Sequence, residues 1–138
     1  MRFPDWINVF GDKSYRGKCR DEESEQIDCF NWMMFNHPDL HRIAIHPKNE
    51  GKKSWGHIRF DKLTGSINTG ASDIIIPASP PFVCELKRLD HTKSQWQPKQ
   101  IDYLETCKNQ GAFVCVALGF EGFKLAIADY LKHKEEMK

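Results

Sequence analysis

The hydrophobic and polar positions of the chain form two patterns, one that recurs at helical spacing and one of short, nearly unbroken apolar runs. The first pattern predicts helices at residues 22–35, 55–63, 98–109 and 122–134. The second predicts strands at residues 42–46, 73–76, 82–87 and 112–118. The resulting order, α-β-(α)-β-β-α-β-α, predicts an α/β fold in which a mixed β-sheet is flanked by helices.

The two middle strands carry the most informative charges. The connection between residues 73–76 and 82–87 is too short for a crossover helix, so we expect an antiparallel hairpin. The second of these strands is apolar on both faces, which favours a central, buried position. Glu85 and Lys87 project together from one face of it, and the hairpin can bring Asp73 alongside them.

Charged groups on a buried strand are costly unless they are paired or bind a metal ion. Two carboxylates beside a lysine suit a divalent cation that prefers oxygen ligands, such as Mg²⁺. The alternative is an ordinary Glu–Lys pair on a partly exposed strand. The hairpin alone does not decide between these two interpretations.

The first helix contributes another carboxylate. At about 100° of rotation per residue, Glu23 lies on the apolar face of the helix, Gln26 lies on the same side, and Glu25 faces away. That apolar face contains Ile27, Phe30 and Met34. A metal ion shared with the two strand carboxylates would give Glu23 a partner there. The alternative is a first-turn glutamate that the helix dipole favours.

The helix at residues 98–109 carries an amide within its apolar stripe. Gln100 lies among the apolar residues Trp96, Leu104 and Cys107. An amide in this position can orient a water molecule, a carboxylate or a phosphate near the strand ends. A glutamine whose hydrogen bonds are satisfied within the core is the alternative.

Composition and charge narrow the class of protein. The 138 residues make one domain's worth of sequence, and a hydrophobic share of 40% is enough for a core. Twenty Lys and Arg against 19 Asp and Glu leave a net charge of +1, which excludes a strongly basic coat protein for nucleic acid but not a nuclease. The five cysteines contain no CxxC pair, which disfavours a zinc ribbon. No apolar run suits a membrane span or secretory signal, so we expect a cytoplasmic protein.

Basic residues concentrate in two segments that are predicted to be irregular, an arm at residues 1–20 and a loop at residues 47–54. The candidates for contact with nucleic-acid phosphates are Lys13, Arg16, Lys18, Arg20, Lys48, Lys52 and Lys53. Such residues could neutralise phosphates. Loops are also basic merely because they are solvated, and that alternative stays open.

Taken in order, five motifs resemble the VRR-NUC nucleases of the PD-(D/E)XK superfamily, in the small stand-alone form encoded by bacteriophages. The motifs are Glu23-x-x-Gln26, Pro47-Lys48-Asn49-Glu50-Gly51, Gly70-x-x-Asp73, Glu85-Leu86-Lys87-Arg88, and Gln100 with Gly111 eleven residues later. The resemblance covers roughly residues 22–131. The Pro-Asp of the superfamily name is Ser72-Asp73 here.

The resemblance implies a restriction-endonuclease-like core and a DNA endonuclease that depends on Mg²⁺ or Mn²⁺. The implied metal ligands are Asp73, Glu85, the main-chain carbonyl of Leu86, and Glu23 directly or through water. Lys87 would orient or help to deprotonate the attacking water. Gln26 and Gln100 would be supporting residues of the pocket, with Gln26 facing the nucleic acid.

The resemblance also implies partners and a setting. Small stand-alone members resemble homodimeric enzymes that favour four-way DNA junctions, in the manner of Holliday-junction resolvases, inside a bacterium or a phage-infected host cell. Residues 1–21 would be a basic arm and residues 22–138 the nuclease domain. Trp32, which the helical rotation places away from the sheet, is the best interface candidate. A nuclease that acts on ordinary duplex or single-stranded DNA and a non-catalytic DNA-binding module remain alternatives.

Overall fold

A computed structural model describes residues 1–47, 55–65 and 68–138. Its strands are β1 (Asn8–Phe10), β2 (Ile74–Ile76), β3 (Phe82–Lys87) and β4 (Phe113–Leu118). Its helices are α1 (Glu22–Asn36), α2 (Pro38–Ile43), α3 (Trp55–Thr64), α4 (Gln100–Asn109) and α5 (Gly119–Glu136). No helix within these ranges combines the length and apolar character that crossing a membrane requires.

The described strands form a mixed four-stranded sheet in the order β1-β4-β3-β2. β2 and β3 make the antiparallel hairpin that the sequence predicts, with Ile74 opposite Cys84. β3 also pairs in parallel with β4, and β4 pairs in parallel with β1. The predicted central position of β3 is therefore confirmed, and every residue of this strand is buried.

Each face of the sheet is covered by its own hydrophobic core. Cys84 and Leu86 face α1 and α5, where Met33 and Phe123 belong to the same buried cluster. Val83 faces the other way, into a cluster with Leu104 of α4. Because side chains alternate along a strand, Glu85 and Lys87 share the α4 face with Val83.

Two predicted elements differ from the structure. The arm at residues 1–20 was expected to be irregular, but Asn8–Phe10 forms β1 at the edge of the sheet. The strand predicted at residues 42–46 is wrong, because Pro38–Ile43 is a helix and only Ile45 makes an isolated bridge, to Ile75. Pro38 occupies the first turn of that helix, where its fixed φ is favourable, so it starts α2 as well as ending α1.

Trp32 does not face away from the body of the protein. Its ring packs edge-on against Phe120 and Phe123 of α5, with centroids 6.3 and 6.1 Å away. The side chain is only partly exposed and joins the core between α1 and α5. The expectation that Trp32 points away from the sheet is therefore wrong.

Candidate active site

The site is centred on two buried charges at the carboxyl end of β3. Glu85 is 0% exposed and Lys87 is 2% exposed. The Lys87 Nζ atom lies 3.9 Å from Oε1 of Glu85. Since a buried charge is costly without a partner, each group compensates part of the desolvation of the other.

Lys87 is held by three further groups. Its Nζ donates to the backbone carbonyl of Gln95 at 2.9 Å and to Oε1 of Gln100 at 3.1 Å. The ammonium also lies 5.2 Å from the centre of the Trp96 ring, over its face, an arrangement that attracts a cation. The Lys87 side chain is therefore fixed in position and mostly shielded from water.

Gln100, the first residue of α4, links the two buried charges. Its Oε1 accepts from Lys87 and from the backbone N–H of Gln97 at 2.8 Å, and its Nε2 donates to Oε1 of Glu85 at 2.9 Å. These three bonds fix the orientation of the amide, because only the oxygen can accept and only the nitrogen can donate. The structure thus brings Gln100 together with Glu85 and Lys87.

Asp73 lies directly beside Glu85. The β2–β3 register, continued one step beyond Ile74, sets Asp73 opposite Glu85 on the same face of the sheet. Its Oδ2 accepts from the backbone N–H of Leu86 at 2.8 Å. Since the N–H and C=O of a strand residue point to the same side, the Leu86 carbonyl opens toward Asp73 as well.

A glycine fixes the distance between Asp73 and α4. Gly70 has a φ of +85°, and a Cβ on it would stand 2.3 Å from the carbonyl oxygen of Lys99. The turn that leads into β2 therefore packs backbone against backbone on the residue before α4. This close approach explains why glycine occupies the first position of the Gly70-x-x-Asp73 motif.

The Glu85 carboxylate is crowded by negative charge. Its Oε2 is buried and has no hydrogen-bond donor among the described residues. Burial raises the pKa of Glu85 well above its ordinary value, the adjacent Asp73 raises it further, and Lys87 only partly offsets both.

The third carboxylate of the site is Glu22, whereas the sequence pointed to Glu23. Glu22 is partly buried, and its Oε2 accepts from the Ser94 hydroxyl at 3.2 Å. Burial raises the pKa of Glu22, the nearby Lys87 lowers it and the charge of Asp73 raises it, which places Glu22 within electrostatic reach of both. Glu23 is exposed.

The error lies in the rotation assigned to α1. Ile27 is 55% exposed and Met34 is 43% exposed, so neither defines the buried stripe. Cys29 and Met33 do, together with Glu25. Glu25, expected in solvent, accepts from the backbone N–H of Phe120 at 2.5 Å and so satisfies a free donor at the start of α5.

These oxygens fit a divalent cation. Within the described ranges, no three His, Cys, Asp or Glu side chains form a complete metal-binding cluster. The neighbouring carboxylates of Asp73 and Glu85, including the orphaned Oε2 of Glu85, nevertheless offer the hard oxygen donors that a divalent cation prefers, and the Leu86 carbonyl lies beside them. A cation there would relieve the repulsion that raises the pKa of Glu85.

The N-terminal basic residues lie on a segment that crosses the loop after β3. Lys13, Arg16 and Lys18 are exposed, while the guanidinium of Arg20 is occupied by ion pairs with Glu25 and Asp28 at 3.2 and 2.6 Å. This segment, residues 13–20, is fixed to the loop by hydrogen bonds that involve Lys13, Gly17, Cys19 and Arg20 on one side and Arg88, Asp90, His91 and Lys93 on the other.

The remaining candidates for contact with nucleic acid are Gln26 and three lysines of the loop at residues 47–54. Gln26 lies on α1 one turn after Glu22 and is partly buried. Lys48, Lys52 and Lys53 lie outside the described residues.

The chain was compared with family models, with curated proteins and with solved structures, and the solved structures include one with a similar fold. No family model matches the sequence, and no curated protein matches it significantly. Among solved structures, the chain is similar to a VRR_NUC domain protein, with a TM-score of 0.65 and 21% identity over 86% of this chain and 92% of the other. The chain therefore has a fold similar to that of a VRR_NUC domain protein, and the predicted fold class, a mixed sheet flanked by helices, is confirmed.

Proposed function

We propose that the chain is a divalent-metal-dependent nuclease that hydrolyses phosphodiester bonds in DNA. The observation that carries the proposal is the buried Glu85–Lys87 pair, held by Gln100 and placed against Asp73. A protein that only binds DNA has no need of an ionic pair at such a desolvation cost. The similarity to a VRR_NUC domain protein supports the same activity.

The metal site is proposed to comprise Asp73, Glu85, the carbonyl of Leu86, and Glu22 directly or through water. Bound there, Mg²⁺ or Mn²⁺ would acidify the attacking water and polarise the phosphate. Lys87 holds its ammonium toward the same region and would orient that water and stabilise the negative charge that develops on phosphorus-bound oxygens. Gln100 hydrogen-bonds to both Lys87 and Glu85 and would keep the two side chains in fixed relative positions.

The substrate is proposed to be branched DNA, cleaved by a homodimer. Two symmetric sites in a dimer could nick opposing strands across a four-way junction. Lys13, Arg16 and Lys18 are exposed on residues 13–20 and would neutralise phosphates near the site. The proposed place of action is the cytoplasm of a bacterium or a phage-infected cell.

A cleavage assay tests both the metal-dependent nuclease activity and the preference for branched DNA. Purified full-length protein would be incubated with a four-way junction, a linear duplex and a single strand, each with Mg²⁺, Mn²⁺ or EDTA. Paired nicks in the junction that vanish in EDTA are expected. Equal cutting of all three substrates would overturn junction selectivity and leave a general nuclease. Tight DNA binding without metal-dependent cutting would overturn the nuclease itself. Light scattering at the assay concentration measures whether the protein is a dimer.

Adjacent glutamates provide a matched pair of variants for the third carboxylate. Glu22→Gln is expected to reduce cleavage at limiting Mn²⁺ by about tenfold to a hundredfold, an effect typical of groups that support a metal site. Glu23→Gln, one residue away and exposed, is expected to leave it unchanged. Initial rates across a Mn²⁺ titration measure both. A larger loss in Glu23→Gln would restore the assignment made from the sequence.

A further inference from the structure

Ser94 connects the end of β3 to the start of α1 through its hydroxyl group. The Ser94 Oγ accepts from the backbone N–H of Arg88 at 3.0 Å. The same oxygen lies 3.2 Å from Oε2 of Glu22. A lone pair of the hydroxyl oxygen accepts from the Arg88 amide, and the single hydroxyl proton is donated to the Glu22 carboxylate, which can only accept.

The side chain of Arg88 reinforces this connection by a separate route. Its Nε donates to the carbonyl of Arg20 at 3.0 Å and its Nη2 to the carbonyl of Cys19 at 2.9 Å. Cys19 and Arg20 immediately precede Asp21, the residue that caps α1. The guanidinium therefore holds the two residues that precede the cap of α1, and the Ser94 hydroxyl holds the carboxylate of the first residue of this helix.

The loop that carries Ser94 also restrains the other side of the site. The next residue, Gln95, provides the backbone carbonyl that accepts from Lys87. The loop itself is held by Asp90, which accepts from the Thr92 hydroxyl at 2.6 Å and from the Gly17 backbone at 3.0 Å. One short loop thus contacts both a carboxylate, that of Glu22, and an ammonium, that of Lys87.

We propose that Ser94 is a positioning residue for the metal site, orienting Glu22 toward a cation held by Asp73 and Glu85. This rests on the proposed function only in that the site binds a divalent cation. Groups that orient a ligand without touching the metal contribute about tenfold to a hundredfold in metal affinity. Removal of the hydroxyl would free Glu22 to turn toward solvent, because no other described side chain donates a hydrogen bond to it.

Binding of Mn²⁺ alone, measured by isothermal titration calorimetry on the full-length protein, tests the proposal without DNA or turnover. Ser94→Ala is expected to bind Mn²⁺ about tenfold more weakly than the wild type. Ser94→Thr, which keeps the hydroxyl, is expected to restore most of the affinity. Thr92→Val is the control, since the Thr92 hydroxyl serves Asp90 in the same loop and does not reach Glu22. Its Mn²⁺ affinity is expected to be unchanged.

The free energy of unfolding in EDTA, measured on the same variants, shows whether a substitution loosens the loop in general. A loss of Mn²⁺ affinity without such loosening is assigned to the orientation of Glu22. A Ser94→Ala protein that binds Mn²⁺ within twofold of the wild type would overturn the proposal, as would an equal loss in Thr92→Val. Ser94→Cys has nearly the same shape and a weak donor, and replaces Ser94→Ala if that variant does not fold. Wild-type protein that binds Mn²⁺ but cleaves no DNA refutes the nuclease alone. Wild-type protein that binds no Mn²⁺ refutes both.

Discussion

Replacement of Lys87 by methionine is expected to reduce cleavage by about 10²- to 10³-fold, the loss typical when one preorganised donor to a developing negative charge is removed. Methionine keeps the length and apolar stem of the side chain but cannot donate to Gln95 or Gln100. It also removes the cation that lowers the pKa of Glu85, so this pKa rises further. The variant therefore loses the direct donor, and the ionised form of Glu85, which would hold a metal ion, becomes less favourable.

The stability of Lys87→Met has a predictable pH dependence. The pKa of Glu85 is higher in the folded protein than its ordinary value of 4.5. Its contribution to the free energy of unfolding is therefore complete below pH 4.5 and is lost as the pH rises through the raised pKa. The variant should therefore be destabilised less at about pH 5 than at about pH 8, as urea unfolding in EDTA would measure. Lys124→Met is the matched control, since Lys124 pairs at the surface with Glu121 on α5, which covers the opposite face of the sheet from Lys87. Cleavage by Lys87→Met within tenfold of the wild type would contradict the role assigned to Lys87.

The hairpin could be predicted from the sequence because its determinants are local. A strand that is apolar on both faces and yet carries Glu85 and Lys87 indicates a buried position with a special requirement for charge. The short connection to Asp73 then allows a single pairing geometry. For these reasons β3 has the predicted bounds, and Asp73 lies where the hairpin was expected to bring it.

The orientation of α1 could not be predicted in the same way. Its buried face carries two carboxylates, Glu22 and Glu25, while Ile27 and Met34 are largely exposed. Hydrophobic periodicity then favours the wrong rotation, because burial of Glu25 is compensated by groups distant in sequence, such as the backbone of Phe120. A tertiary contact of this kind leaves no periodic trace in the helix itself.

Two other features also depend on distant partners. β1 is three residues long and pairs with β4, more than 100 residues away in the chain, so the local pattern of residues 1–20 contains little sign of it. Ser94 lies in a polar loop with no periodicity, and its importance comes from Arg88 and Glu22 on either side of it in space. Single-sequence patterns locate strands and candidate charges, whereas the groups that orient those charges emerge only from tertiary structure.

Replacement of Asp73 by asparagine is expected to abolish metal-dependent cleavage and, at the same time, to stabilise the metal-free protein. The asparagine Oδ1 can still accept from the backbone N–H of Leu86, so the turn into β2 keeps its hydrogen bond. The negative charge beside Glu85 is lost, which removes one cause of its raised pKa, burial being the larger. The variant is therefore expected to be more stable than the wild type when no metal is present.

The size of this stability difference changes with pH, and its sign changes with metal. In EDTA, the wild type loses stability as pH rises above the ordinary Glu85 value of 4.5, and Asp73→Asn loses less, so the gap between them should widen from about pH 5 to about pH 8. With Mg²⁺ at 100 times its dissociation constant, the wild type should gain about 2.7 kcal/mol, and the variant, which lacks a ligand, should gain little. The order of stability therefore reverses when metal is added.

Urea unfolding of both proteins, with and without Mg²⁺, measures this reversal. Asp129→Asn, an exposed aspartate of α5, is the control and should follow the wild type in every condition. An Asp73→Asn protein that is less stable than the wild type in EDTA would mean that the Asp73–Glu85 pair is held by attraction, such as a shared proton, and not by an outside cation. The same variant, if it gained as much from Mg²⁺ as the wild type, would place the metal elsewhere. A reversal in the order of stability on addition of Mg²⁺ would show two things. The carboxylates of Asp73 and Glu85 repel each other in the metal-free protein, and a bound cation offsets that repulsion.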